Sequence, residues 1–364
     1  MKIGIVTFQR AQNFGACIQM FALKTYLIEK GYDVYIMDYN CHFLDDSYNP
    51  SNIYFSKRIY SGLYHFIKDF KAIVKRLPWK KYSLYQDFLN ENFKLTNSFS
   101  KAEDMPMDFD ILITGSDQVW NYAITNGRDE VFFLDNKRVT VNSVRRISYA
   151  ASVEMDNFYR LVNDKEYVVK ALKNFDWVSV RERKLTELLR TVFCIDADTV
   201  LDPTFLIERD AYLSISIKPK FDHYLLVYEV SKSEALIKVA RIIAKDRNLK
   251  IIYTHSTPVA TDDAGAYGPL EMLGLICYAD VVVTSSFHGT ALSIINRKEF
   301  YAVYDKPSSR IEDLLSLFDL SDRLVIGNNP VIFIHPAVYD ENAIYRPICQ
   351  SKEMLDKAIL GNNM

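Results

Sequence analysis

Apolar positions along the chain fall into short β-branched runs separated by stretches with helical spacing, the alternation of an α/β protein. Lys2 to Phe8 reads as a strand and Asn13 to Ala16 as the loop after it. Ala16 to Lys30 carries helical spacing through Ile18, Phe21, Ala22, Leu27 and Ile28, then stops at Gly31. Asp33 to Tyr39 reads as the next strand, so the chain opens on a β-loop-α-β unit and a parallel sheet is implied. Strands are also expected at Asp110 to Thr114, Arg146 to Ala150 and Trp177 to Val180. A second series follows at His223 to Val230, Lys250 to His255, Asp280 to Thr284 and Glu299 to Val303. Between the two series, Val200 to Phe205 contains Asp202-Pro203 and reads as a domain exit, because proline ends regular structure. The pattern predicts two consecutive α/β domains with a cleft between them. These are residues 1–205, with a helical insertion at about 41–97, and residues 206–345, followed by a helix in 346–364 that crosses back onto the first domain.

Composition narrows the picture. With 364 residues, 25% charged and 49% hydrophobic, the chain is long enough for two ordinary globular domains. A net charge of −2 gives no overall attraction to nucleic acid, so any basic surface must be local. The cysteines at 17, 41, 194, 277 and 349 show no CxxC spacing, and they read as reduced thiols, neither a disulfide framework nor a zinc site. The first apolar run breaks too early for a signal peptide, and nothing approaches the ~18 apolar residues of a spanning helix. A cytoplasmic protein is expected.

The strand-to-helix turn at Thr284-Ser-Ser-Phe-His288-Gly-Thr290 carries the most chemistry. Ligands of open α/β sheets bind at strand carboxyl ends, where a helix N-terminus suits an anion. His288 adds a group that exchanges protons near neutral pH. Thr114-Gly115-Ser116-Asp117-Gln118 ends another strand, and there Ser116 or Asp117 fits either a ligand contact or a helix cap. Asn13-Phe-Gly15 fits either a close-approach loop or a turn, and the absence of GxGxxG gives no support to a dinucleotide site. Arg181 at a strand end and Arg310 after Glu299 to Val303 are candidate anion clamps, or else surface charges. The other histidines lack metal-ligand spacing, so no metal site is expected; His255, after a strand, is a weaker candidate for lining the cleft.

Taken together, the segments Asn13-Phe-Gly-Ala-Cys-Ile-Gln19, Thr114-Gly-Ser-Asp-Gln-Val-Trp-Asn121, Ser148-Tyr-Ala-Ala-Ser152, Ser179-Val-Arg-Glu182, Asp202-Pro-Thr204, Ser285-Ser-Phe-His-Gly-Thr-Ala291 and Ser309-Arg310 resemble the polysaccharide pyruvyl transferase family, in the family's order. The resemblance implies two Rossmann-like domains facing across a GT-B-like cleft. It also implies transfer of pyruvate from phosphoenolpyruvate to a sugar of a surface or capsular polysaccharide precursor, as a cyclic ketal with release of phosphate. Neither a cofactor nor a metal is implied. On this reading His288 transfers a proton at the donor, Arg181 and Arg310 clamp its anionic groups, and Ser286, Gly289 and Thr290 cradle phosphate. Asp117 orients or deprotonates the acceptor hydroxyl, with Asn13, Gly15, Gly115, Ser116 and Gln118 nearby.

Lys57 to Lys81 holds Lys/Arg at 57, 58, 68, 71, 75, 76, 80 and 81 against Asp69 alone, with interleaved aromatics. Such a helix either packs as an insertion at the cleft rim or lies on an anionic membrane, which would suit a lipid-linked acceptor at the inner face. Two other functions fit the same cleft. One is a GT-B-type transferase using a nucleotide-activated sugar or alditol phosphate, and the other is a non-catalytic saccharide-binding protein.

Overall fold

A computed structural model describes residues 1–48, 77–136, 144–230, 233–255, 267–306, 308–327 and 334–361. The first domain begins with β1 (Lys2–Val6), α1 (Phe14–Glu29) and β2 (Asp33–Ile36), then α2 (His42–Tyr48) and α3 (Leu77–Asn92). It continues through β3 (Ile111–Thr114), β4 (Arg145–Ser148), α4 (Phe158–Asn163), α5 (Lys165–Leu172), β5 (Ser179–Val180), α6 (Arg183–Phe193) and β6 (Asp198–Thr199). Its sheet runs β2-β1-β3-β4, all parallel. The parallel pair β5-β6 extends this sheet through bridges from Ile147 to Trp177 and from Ala151 to Val180.

After α7 (Arg209–Ile215), the second domain comprises β7 (Tyr224–Glu229), α8 (Glu234–Arg247), β8 (Lys250–His255), α9 (Pro269–Tyr278), β9 (Val281–Thr284), α10 (Phe287–Ile295), β10 (Glu299–Tyr304), α11 (Ser309–Leu317) and β11 (Leu324–Ile326). The strands order β11-β10-β9-β7-β8, again all parallel. β9 is Val-Val-Val-Thr and buried throughout, because helices cover both faces of its sheet.

Chain connections reverse direction between β1 and β3 in one domain and between β7 and β9 in the other. These are the switch points at which such sheets bind ligands. A core containing Ile3, Phe14, Ile18, Tyr228, Leu273 and Leu292 runs through both domains, so the switch points are held facing each other by apolar packing. Phe14 meets Tyr228 edge-on, with ring centroids 5.9 Å apart.

The final helix α12 (Glu341–Leu360) begins five residues before the helix expected in 346–364 and includes Pro347. It lies along the first domain. The Leu201 N–H donates to Ser351 Oγ (3.0 Å), Tyr26 OH to Asp356 (3.0 Å) and Arg145 Nη1 to the Ile359 carbonyl (2.7 Å). The two-residue strand β6 and the three-residue strand β11 are too short for a hydrophobic period to reveal. Residues 57–76 of the basic stretch lie outside the described residues. None of the described helices is long and apolar enough to cross a membrane.

Candidate active site

α10 starts where β9 ends, and its first turn places His288. Ser286 is the N-cap: its Oγ accepts from the Gly289 N–H (3.1 Å), while its carbonyl accepts from both the Thr290 N–H and Thr290 Oγ1 (3.0 Å each). The phosphate cradle expected of Ser286, Gly289 and Thr290 is therefore differently built. Those donors close the first turn of the helix, and all three residues are buried. The first-turn N–H groups of Phe287 and His288 form no hydrogen bond among the described residues.

His288 is buried at 9% exposure and spans the two domains. Its Nε2 stands 3.6 Å from Asp202 Oδ2, in ion-pair range, and has no closer polar partner. Its Nδ1 lies against the start of α1 at Gly15, where a Cβ would come within 2.0 Å of that nitrogen. Gly15, expected beside the acceptor, thus leaves room for the imidazole. Asn13 caps α1, its Oδ1 accepting from the Ala16 N–H (3.3 Å).

Asp202 is the centre of the charge network, although the sequence reading gives it only as a domain exit and as part of the Asp202-Pro-Thr204 segment, with no role. Its Oδ1 caps the next turn, accepting from the Thr204 N–H (3.0 Å) and Thr204 Oγ1 (2.8 Å). Its Oδ2 accepts from Arg181 Nη1 (2.8 Å) and Ser116 Oγ (3.3 Å) and faces His288. Burial alone would raise the pKa of this carboxyl, but the His288 and Arg181 charges and the Thr204 N–H hold it well below the usual carboxylate range. It is a fixed negative charge behind the imidazole.

Arg181, expected as an anion clamp, is almost fully engaged by the protein. Besides Asp202, it donates from Nε to Glu182 Oε1 (3.3 Å) and from Nη2 to Ser152 Oγ (3.2 Å), and Asp117 Oδ1 lies 4.0 Å from Nη2. Burial opposes its charge, yet the carboxylates of Glu182, Asp202 and Asp117 outweigh that and raise its affinity for the proton. Its guanidinium carbon sits 4.5 Å from the centre of the Phe287 ring, which ties the first domain to the start of α10.

The remaining candidates separate into two groups. Gly115, Ser116, Asp117 and Gln118 form the turn after β3, which includes a cis Gly115–Ser116 peptide. Ser116 is buried, and its Oγ also donates to the Ala150 carbonyl (3.0 Å). Gln118 Oε1 accepts from Asn121 (2.6 Å). Asp117 is part-exposed and accepts the Gln118 N–H (2.9 Å). Arg310, by contrast, lies in a cavity beyond Arg181 and Asp202 that His288 does not line. The side chain of His255 is outside the described residues.

Sequence reasoning missed Asp202 and Glu182 as site residues. Both follow short parallel strands, the position that singled out Arg181, so the signal was present but applied to one residue only.

The sequence model of the family described as "Polysaccharide pyruvyl transferase" matches residues 13–307. The chain belongs to this family. The match includes Asn13, Asp117, Arg181, Asp202 and His288, so the residues that meet in the cleft are within the family's own span. No curated protein is significantly similar to the chain. Among solved structures, the UDP-GlcNAc 2-epimerase from Neisseria meningitidis bound to UDP-GlcNAc aligns over 100% of this chain and 94% of its own, at 11% identity and a TM-score of 0.47. A putative UDP-N-acetylglucosamine 2-epimerase from Listeria monocytogenes aligns over 100% and 91%, at 14% identity and a TM-score of 0.47. The UDP-GlcNAc 2-epimerase from Methanocaldococcus jannaschii aligns over 96% and 92%, at 12% identity and a TM-score of 0.43.

Proposed function

We propose that this family member transfers pyruvate from phosphoenolpyruvate to two hydroxyls of a saccharide, forming a cyclic ketal and releasing phosphate. The observation that carries the reading is the contact of His288 with Asp202. A buried carboxylate that stays ionised stabilises an imidazolium and fixes which ring nitrogen exchanges protons. Proton transfer is what the reaction demands. One proton adds to the methylene carbon of the donor, giving an oxocarbenium-like centre. The first sugar hydroxyl adds there and loses its proton. The carbon–oxygen bond to phosphate then breaks, and the second hydroxyl closes the ring. Of the two hydroxyl protons, one balances the new methyl group and the other leaves with phosphate.

His288 serves as the proton-transfer residue, Asp202 as its partner, and Asp117 as the acceptor-side carboxylate that orients a hydroxyl. Arg181 holds Asp202 and Phe287 in place, which makes it a positioning residue. The acceptor is a surface or capsular polysaccharide precursor, in keeping with the family, and the reaction is assigned to the cytoplasmic side of the membrane.

A thermal-shift comparison tests the donor. Phosphoenolpyruvate should raise the melting temperature, whereas UDP-sugars and alditol phosphates carried on nucleotides should not. Protection by a nucleotide-activated donor alone would replace this reading with the glycosyltransferase one. No shift with any donor would favour a saccharide-binding protein.

A further inference from the structure

Asp117, the acceptor-side carboxylate, stands in a backbone conformation that a residue with a Cβ seldom adopts. Its φ is 77°, in the left-handed region, so the turn after β3 must be held by its surroundings. Part of that hold is local. The Asp117 carbonyl accepts from the Val119 N–H (2.8 Å) and from the Ser152 N–H (3.0 Å). The rest comes from beneath the turn. Thr7 Oγ1, just past β1, donates to the Ser116 carbonyl (3.1 Å), which belongs to the peptide group leading into Asp117. The same Thr7 oxygen accepts from Gln19 Nε2 (3.0 Å), and Gln19 Nε2 also donates to the Ala16 carbonyl (3.0 Å).

Thr7, Gln19 and Ser116 are all buried, at 1%, 0% and 0% exposure. Gln19 Oε1 has no hydrogen-bond partner. Turning the amide over would not relieve it, because Ala16 offers only a carbonyl and the Thr7 hydroxyl proton is committed to Ser116. A buried carbonyl without a donor is costly, and an apolar side chain of similar length would fill the space without that cost. What the amide supplies is its nitrogen, which fixes the Thr7 hydroxyl with its proton directed at Ser116. Gln19 also lies one helical turn after Gly15, on the same face of α1. Gly15 leaves room for His288 and Gln19 supports the turn of Asp117, so one helix reaches both groups.

We propose that Gln19 and Thr7 are positioning residues, which set where the Asp117 carboxylate stands relative to His288. The proposal rests on Asp117 orienting an acceptor hydroxyl in the pyruvyl transfer. Being buried, the two side chains act through the Ser116 peptide group and touch no substrate. Without them the turn relaxes toward commoner backbone geometry, and the carboxylate leaves its place beside the acceptor hydroxyl. Small misplacements of this kind slow reactions far more than they weaken binding. The contact of His288 with Asp202 is made by other groups, so the donor side is kept.

Three variants test this in the full chain. Thr7→Val removes the hydroxyl, Thr7→Ser keeps it, and Gln19→Met removes the amide at similar length. Native-state hydrogen exchange at the Val119 and Ser152 amides, read by NMR, reports the turn whatever the substrate. It should quicken about tenfold in Thr7→Val and Gln19→Met and stay near the parent in Thr7→Ser, with the amides of β9 unchanged in all three. Acceptor-dependent phosphate release at saturating phosphoenolpyruvate should show kcat/KM for the acceptor falling about tenfold or more in the same two variants, with thermal protection by phosphoenolpyruvate kept. In an Asp117→Asn background, Thr7→Val should cost little further, because its effect passes through that carboxylate. Parental exchange at both amides in Thr7→Val and Gln19→Met would overturn the proposal, and so would losses from Thr7→Val and Asp117→Asn that multiply in full. Faster exchange in the variants of a parent that releases no phosphate from phosphoenolpyruvate would uphold the support of Asp117 and remove the pyruvyl-transfer reading.

Discussion

Arg181 has a carboxylate on either side, and the two behave in opposite ways. Asp202 and Glu182 are equally buried, with side-chain exposures of 0% and 1%. Asp202 accepts hydrogen bonds from Arg181, Ser116 and Thr204 and faces His288, so its charge is solvated by the protein. Glu182 accepts from Ser152 and Arg181 on one oxygen and leaves the other bare. Burial is the same, and the neighbouring charges and donors decide the direction in which each carboxyl shifts. One side of the arginine keeps a carboxylate held well below the usual range behind a histidine, and the other keeps a carboxyl that burial pushes upward. Two carboxylates with divergent acidities in one site are the arrangement expected of acid–base chemistry.

The comparison breaks most directly at Asp202. Asp202→Ala removes the partner of a buried guanidinium and should cost about 3–5 kcal/mol of stability, read by denaturant unfolding. Asp202→Asn keeps the shape but not the charge. It should lower kcat by about 100-fold or more while leaving protection by phosphoenolpyruvate in place. A kcat for Asp202→Asn close to the parent's would show that the contact with His288 is only structural.

Gly15→Ala should come next. The new methyl would overlap the imidazole, so the ring must shift, costing about 1–3 kcal/mol and most of the turnover. A variant with parental kinetics would mean that His288 works from another rotamer.

The two carboxyls also make opposite pH predictions. Asp202 is depressed in the folded protein, so its contribution is present above the unfolded carboxylate value of about 3.9 and is lost as pH falls through the lower folded value. Glu182 is raised, so its contribution is present below about 4.3 and fades as pH rises through the folded value. In denaturation curves taken from acid to neutral pH, the deficit of Asp202→Asn should shrink toward the acid end. Glu182→Gln should gain on the parent toward neutrality, and parallel curves would remove the contrast. The smallest effect is expected from Ser116→Ala, which deletes one donor to Asp202 and the Ala150 carbonyl and should cost about 1 kcal/mol.

Much of the fold was legible because its strands are short β-branched runs buried on both faces, as at Val281–Thr284. Their carboxyl ends pointed to the loops where His288, Asp117 and Arg181 come together around Asp202, while Arg310 lines a neighbouring cavity. The roles within those loops were less legible, because the same residue types cap helices and bind ligands. Asn13 and Ser286 proved to be caps, and Thr290 closes a helical turn. Arg181 reads the same whether open or paired, and its pairing depends on Asp202, twenty-one residues away. Asp202 was hidden by the proline after it, which explains the local turn so well that the charge went unremarked. Gly15 reads as a flexible turn in one dimension and as clearance for His288 in three.

The central claim is that His288, backed by Asp202, moves the proton in an enolpyruvyl transfer. Phosphate release from phosphoenolpyruvate in the presence of a panel of glycosides, compared between the parent and His288→Ala, tests it most directly. The parent should release phosphate only with an acceptor, and the variant should show no turnover while retaining its melting temperature and its protection by phosphoenolpyruvate. Acceptor-dependent release by His288→Ala at a rate near the parent's would contradict it.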